Sequence, residues 1–66
     1  MSKPTILIVE DIASLAMAYA AQLESANFSC VIVESGAAAL EELSRRGDTV
    51  RAILLDLQLP DTDGFW

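Results

Sequence analysis

Three short apolar runs constrain the fold of this 66-residue chain more than any other feature. They cover residues 6–9, 28–33 and 52–57, and apolar and polar residues do not alternate regularly in any of them. Unalternating runs of this length are typical of strands that are buried on both faces of a parallel sheet. The sequence therefore predicts three strands in the interior of a layered fold.

The segment 13–26, between the first two runs, has the periodicity of a helix. Apolar residues recur there at spacings of four, four and three, which predicts one apolar stripe along the helix. The residues of this stripe are Leu15, Tyr19, Leu23 and Ala26. Asn27 follows the stripe, and asparagine tolerates the left-handed conformation that ends many helices.

A second helix is predicted over residues 38–46, after a turn at Ser35 and Gly36. Its predicted inner face consists of Ala39, Leu40 and Leu43. Two arginines near its C-terminus suit the helix dipole, and Gly47 fits the position just after the helix.

The element order is therefore β-α-β-α-β. Strands that alternate with helices imply right-handed crossovers and a parallel sheet covered by helices. The chain is short, yet 53% of its residues are hydrophobic and its mean hydropathy is +0.41. A small domain has too much surface for such a composition, so we expect residues 1–66 to be part of a larger fold.

Composition argues against several classes of function. The net charge is −6 and there is no run of basic residues, so we expect no nucleic-acid contact through this segment. No apolar stretch is long enough to cross a membrane, and no secretory signal precedes Glu10. The chain has no histidine and one cysteine, Cys30, which cannot form an internal disulfide and is expected in the core. A cytoplasmic location is expected.

Three carboxylates fall where strands end. Glu10 and Asp11 follow the first strand, and Asp56 lies near the end of the third. If these strands are neighbours, the carboxylates converge at the edge where parallel sheets bind ligands. Their mutual repulsion would be compensated by Mg²⁺, which prefers oxygen ligands.

Each acid also has a simpler interpretation. Glu10 and Asp11 could merely complement the N-terminus of the first helix. Asp56 is harder to explain in this way, because an unpaired charge within a buried strand is costly. Asp61 and Asp63 are expected to be solvated loop acids.

The chain resembles the receiver domain of bacterial two-component response regulators. The resemblance rests on ILIVED at 6–11, SGAAALEEL at 35–43 and ILLDLQLPDTDGF at 53–65, in which Pro60 and Gly64 follow Asp56 at intervals of four and would shape the loop. It implies a flavodoxin-like doubly wound parallel sheet, truncated here to β1-α1-β2-α2-β3 with strand order 2-1-3. The stretch 9–23 is also similar to receivers of sigma-54-dependent regulators.

The resemblance implies a role for each site residue. Asp56 would be the phosphoacceptor, Asp11 would bind Mg²⁺ directly, and Glu10 would act mainly through a metal-bound water. Gln58 would offer its backbone carbonyl to the metal. The phosphoryl donor would be a phosphohistidine of a sensor histidine kinase or phosphotransfer protein. Such a receiver is not an enzyme, beyond catalysing its own phosphorylation.

Receivers of this family are nearly twice as long as this chain, in line with domains of about 100–150 residues. The resemblance implies that the fourth and fifth strands are missing, with the Ser/Thr and the Lys that contact the phosphoryl group. Lys3, the only lysine, lies at the wrong end of the sheet. We therefore expect little or no phosphorylation of the 66-residue chain alone. The third strand would also be an open edge, which predicts a homodimer or swapped assembly.

Other functions compete with this one. A half-receiver could act only as a self-associating binding or assembly module. A haloacid-dehalogenase-type hydrolase also places an aspartate after an apolar strand, but it needs a second acid where this chain has Gln58. A dinucleotide-binding unit is disfavoured because no glycine-rich turn follows the first strand.

Overall fold

A computed structural model describes residues 3–56 of the chain. The elements are β1 (Thr5–Val9), α1 (Ala13–Ser25), β2 (Ser29–Val33), α2 (Gly36–Arg46), a short 3-10 helix (Gly47–Thr49) and β3 (Val50–Leu55). The predicted order of strands and helices is confirmed. The predictions for the loop after Asp56, which concern Gln58, Pro60, Asp61, Asp63 and Gly64, lie outside the described residues.

The three strands form a parallel sheet in the order β2-β1-β3. Ile8 of β1 is paired with Ile32 on one side and with Leu54 on the other. The first strand is therefore central, and the carboxyl ends of all three strands lie at one edge. This strand order is the flavodoxin-like arrangement that the sequence predicts.

One helix covers each face of the sheet. On the α1 face, Ile6 and Ile8 are buried together with Ala16 and Ala20. On the α2 face, buried residues are Leu7, Val33 and Ala39. Both faces of β1 are thus covered, which explains why its sequence shows no alternation of apolar and polar residues.

The end of α1 depends on Asn27, as the sequence predicts. Asn27 has a φ of 77°, in the left-handed region. Its amide donates to the Glu24 carbonyl oxygen at 3.0 Å, and the Phe28 amide donates to the Leu23 carbonyl oxygen at 3.1 Å. This pair of bonds satisfies carbonyl groups at the helix end and turns the chain into β2.

The predicted apolar stripe of α1 is wrong in its centre. The most buried positions are the small residues Ala16 and Ala20, whereas Tyr19 and Leu23 are half-buried and Ala26 is exposed. Alanines allow the helix backbone to approach the sheet closely, so the larger side chains extend to either side of the contact. A prediction from the spacing of large apolar residues therefore does not find the most buried positions of the helix.

The second helix begins two residues earlier than predicted. Ser35 is its N-cap, and its hydroxyl oxygen accepts a hydrogen bond from the Ala38 amide at 3.1 Å. Ala39 and Leu43, four residues apart, face the sheet, but Leu40 is 70% exposed and its assignment to the inner face is wrong. Gly47 caps the helix in the right-handed conformation and continues into the 3-10 turn.

Candidate functional site

Backbone pairing brings the ends of β1 and β3 together. The Glu10 amide donates to the Val33 carbonyl oxygen at 3.0 Å, and the Asp56 amide donates to the Val9 carbonyl oxygen at 3.2 Å. These bonds continue the ladder one step beyond the strands. Glu10 and Asp56 are therefore held at the carboxyl edge of the sheet, where the sequence predicts a site.

The side chain of Glu10 is unusual because it is buried, with only 3% of its surface exposed. Its Oε2 atom accepts a hydrogen bond from the Ile12 amide at 3.0 Å, just before α1 begins. Its Oε1 atom is also buried, but it accepts no hydrogen bond within the described part of the chain. An ionised carboxylate held in this way needs a further positive or hydrogen-bonding partner.

The pKa of the Glu10 carboxyl is raised above its usual range. The largest cause is the hydrogen bond that Glu10 and the Asp56 side chain make when one of the two carboxyl groups is protonated. Desolvation, the negative charge of Asp56 and hydrogen bonding with Asp11 also raise the pKa, whereas the bond from Ile12 lowers it. Glu10 and Asp56 are thus close enough to repel each other when both are ionised.

Asp56 is half-buried and has a partner on α1. The Tyr19 hydroxyl donates a hydrogen bond to Asp56 Oδ2 at 3.2 Å. The same contact, followed by the negative charge of Asp56, raises the pKa of Tyr19. The ring of Tyr19 packs against the α1-side core, as predicted, but its hydroxyl contact was missed.

A signal for the Tyr19 contact is present in the sequence. Side chains alternate across a strand, so Asp56 lies on the same face of β3 as Leu54, which packs against the α1-side core. Tyr19 lies on the helix that covers this face, and a half-buried tyrosine hydroxyl usually finds a hydrogen-bond partner. The distance between the two groups depends on the close approach of α1, which sequence spacing does not give.

Asp11 is exposed, and the structure places it beside Glu10. Within residues 3–56, no group of three or more His, Cys, Asp or Glu side chains is arranged to hold a metal ion. The structure brings together the carboxyl groups of Glu10 and Asp56. Gln58 lies outside the described residues. The buried Glu10 Oε1, which lacks a hydrogen-bond donor in the described region, is nevertheless the kind of hard oxygen ligand that fits Mg²⁺.

A parallel sheet of order 2-1-3, with an aspartate at the carboxyl end of its third strand and a buried acid beside it, is the arrangement that the resemblance to receivers implies. Comparison with known proteins gives the same class, because residues 6–66 match the response regulator receiver domain. The chain belongs to this family, whose members are the receivers of response regulators in two-component signalling.

The similar curated proteins include the sensory transduction protein RegX3 of Mycobacterium bovis and of Mycobacterium tuberculosis strain H37Rv. Each is 43% identical to this chain over 60 residues, which is 91% of the chain and 26% of the relative. The chain thus spans about a quarter of the length of the curated relatives that it matches. No solved structure matches it. In the described region, neither helix is long and apolar enough to span a membrane.

Proposed function

We propose that Asp56 accepts a phosphoryl group from a histidine kinase or phosphotransfer protein of a two-component system. The observation that carries this proposal is the place of Asp56 at the carboxyl end of β3, with the buried Glu10 beside it and the Tyr19 hydroxyl on its Oδ2 atom. Glu10 lies close enough to Asp56 for the Asp56 side chain to raise the pKa of the Glu10 carboxyl, so two acids share this edge of the sheet.

The chemistry requires little more than a positioned carboxylate. A carboxylate oxygen of Asp56 bonds to phosphorus, and the bond from phosphorus to the imidazole nitrogen of the donor breaks. The electron pair stays on the imidazole, which then takes up a proton. The product on this chain is an acyl phosphate. Positioning of the carboxylate accounts for much of the rate in reactions of this type.

We propose that Mg²⁺ assists this transfer. Glu10, Asp11, Asp56 and the backbone carbonyl of Gln58 would hold the ion, and the buried Oε1 atom of Glu10 supports the assignment. The ion would neutralise negative charge on the transferring group. The contribution of this chain is to hold the acids at one edge of the sheet before the ion arrives.

The test uses the product of the whole open reading frame, incubated with Mg²⁺ and acetyl phosphate. We expect intact-mass analysis to show one phosphoryl adduct, and we expect Asp56→Asn to abolish it. Asp48→Asn is the matched control, because Asp48 lies in the 3-10 turn at the opposite end of the sheet. An adduct that survives Asp56→Asn would refute the assignment.

A second candidate function is assembly through the β3 edge. On that strand Ile53 is 45% exposed and Leu55 is 55% exposed, and within the described residues β3 pairs only with β1. An apolar strand edge is a template for pairing with another strand. Under this proposal residues 1–66 form a homodimer or swapped assembly, with no phosphoryl transfer needed.

Sedimentation distinguishes the two candidates. If the edge is a dimer surface, residues 1–66 sediment as a dimer, and Ile53→Lys converts them to a monomer. Arg51→Lys is the matched control on the same strand, because it keeps the charge. A folded monomer of residues 1–66 at micromolar concentration would contradict the assembly proposal. That result would not contradict the proposal that Asp56 accepts a phosphoryl group.

The remaining proposals concern location and other partners. We propose that the protein acts in the cytoplasm, in agreement with the free thiol of Cys30. We also propose that this segment does not bind nucleic acid, because its net charge is −6. Retention on a DNA column at low salt would contradict the second proposal.

A further inference from the structure

The contact between Tyr19 and Asp56 joins an element of the core to the proposed phosphoacceptor. Tyr19 lies in the second turn of α1, and its ring packs against the core on that face of the sheet. Its hydroxyl donates to Asp56 Oδ2 at 3.2 Å, across 37 residues of sequence. Because packing against the core fixes the ring, the hydroxyl lies near Asp56 without any movement of a loop.

A hydrogen bond from a hydroxyl group is stronger when the acceptor is ionised. When Asp56 is ionised, the acceptor of this bond is a carboxylate that bears a negative charge. In an acyl phosphate the same group is part of a mixed anhydride, and its oxygens lose most of that charge. The Tyr19 hydroxyl therefore stabilises the unmodified carboxylate more than it stabilises the phosphorylated form.

We propose that the Tyr19 hydroxyl shortens the lifetime of the phosphoryl group on Asp56. This inference rests on the proposed function of Asp56 as the phosphoacceptor. In the step concerned, water attacks phosphorus and the bond from phosphorus to the Asp56 oxygen breaks. The electron pair stays on the Asp56 carboxylate, a proton of the water passes to solvent, and inorganic phosphate leaves.

The negative charge returns to Asp56 as this bond breaks. In a loose transition state for phosphoryl transfer, much of the charge is already on the leaving oxygen. A donor held on the carboxylate then stabilises the transition state more than the acyl phosphate. Tyr19 is a positioning residue in this scheme, because it acts through Asp56 and does not touch the phosphorus.

Tyr19→Phe tests the inference, because it removes the hydroxyl and keeps the ring in the core. The product of the whole reading frame is phosphorylated with acetyl phosphate, the donor is removed, and the loss of the adduct is followed by mass. We expect the half-life to lengthen by about fivefold, because the transition state loses the extra strength that a charge-assisted hydrogen bond has over a neutral one. Leu23→Met, one turn further along the same helix face, is the matched control and should leave the half-life unchanged.

A second measurement detects the contact without relying on phosphorylation. The ¹³Cζ resonance of Tyr19, assigned by its loss in Tyr19→Phe, should move when Asp56→Asn removes the charge from the acceptor. A purely structural role for Tyr19 would change stability but would not couple this resonance to residue 56. An unmoved resonance would overturn the inference.

The outcomes separate the two proposals. If wild type acquires the adduct and Tyr19→Phe loses it at the wild-type rate or faster, the inference is wrong and the proposed function stands. If wild type acquires no adduct, both are wrong, and the proposed function fails first. A slower loss in Tyr19→Phe together with a moved resonance supports the inference.

Discussion

The amide of Asp56 donates a hydrogen bond to the carbonyl oxygen of Val9 at 3.2 Å, one residue before Glu10. This single bond continues the pairing of β3 with β1 and places two acids on neighbouring strands at the same edge. The Ile12 amide holds Glu10 from one side, at 3.0 Å from Oε2, while Asp56 approaches its carboxyl group. The site is thus a pair of acids set by the sheet itself.

Removing one charge of this pair should stabilise the protein in the absence of Mg²⁺. The pKa of Glu10 is raised, chiefly by hydrogen bonding with Asp56, so its contribution to stability is present below its ordinary value of 4.5. That contribution is lost as the pH rises through the folded-state pKa. Glu10→Gln mimics the protonated acid and keeps an acceptor for the Ile12 amide.

We therefore expect Glu10→Gln to raise the melting temperature near neutral pH in a chelator. The difference from wild type should vanish below pH 4.5, where Glu10 is protonated in both states. Circular dichroism during heating measures this effect. Glu41→Gln, on the exposed side of α2, is the control. A lower melting temperature for Glu10→Gln at neutral pH would show that repulsion from Asp56 is not the dominant effect.

Asn27 is expected to be replaceable by glycine but not by alanine. With φ at 77°, it adopts a conformation that costs a residue with a Cβ atom about 1–2 kcal/mol. Asn27→Ala should lower the free energy of unfolding by about 1 kcal/mol, and Asn27→Gly should leave it unchanged or raise it slightly. Urea denaturation of the three proteins measures this. Equal stability of the alanine and glycine variants would contradict the argument.

Leu7 and Leu40 should respond very differently to truncation. Leu7 lies at 0% exposure in the central strand, so Leu7→Ala leaves a cavity and should cost about 2–5 kcal/mol. Leu40 is 70% exposed, so Leu40→Ala should change stability by less than about 0.5 kcal/mol. Urea denaturation of the whole protein checks both. A large loss on truncating Leu40 would indicate that a segment outside residues 3–56 covers it.

Cys30 should react slowly with alkylating agents in the folded protein. Burial, followed by the negative charge of Glu24, raises the pKa of its thiol and so lowers its thiolate fraction. Because the folded-state pKa lies above the ordinary value of 9.0, the favourable contribution of the neutral thiol is lost as the pH rises through it. Iodoacetamide labelling at mildly alkaline pH should be several-fold slower than in urea. Equal rates would place the thiol in solvent.

The order of elements and the sheet edge that carries the acids were predictable from the sequence. The unalternating run of β1 follows from helices on both faces, and the left-handed Asn27 follows from its place after a helical segment. Both features depend on local pattern. Local patterns of this kind can be recognised in the sequence without knowing the tertiary contacts.

Features that depend on packing distances were not predictable in the same way. The sequence places Leu40 on the inner face, because periodicity alone does not say which of two adjacent apolar residues the sheet covers. The sequence predicts a turn at Ser35, whereas the structure shows that Ser35 is the N-cap of α2. The bond from Tyr19 to Asp56 requires α1 to lie close to the sheet, which the small residues Ala16 and Ala20 permit.

The identity of the residue that carries the phosphoryl group tests the central claim most directly. After phosphorylation with acetyl phosphate and Mg²⁺, reduction with borohydride converts an aspartyl phosphate to homoserine, which peptide mass spectrometry locates. We expect homoserine at position 56 in the product of the whole reading frame, and none in Asp56→Asn. Homoserine at Asp48 or another acid, with position 56 unchanged, would contradict the account.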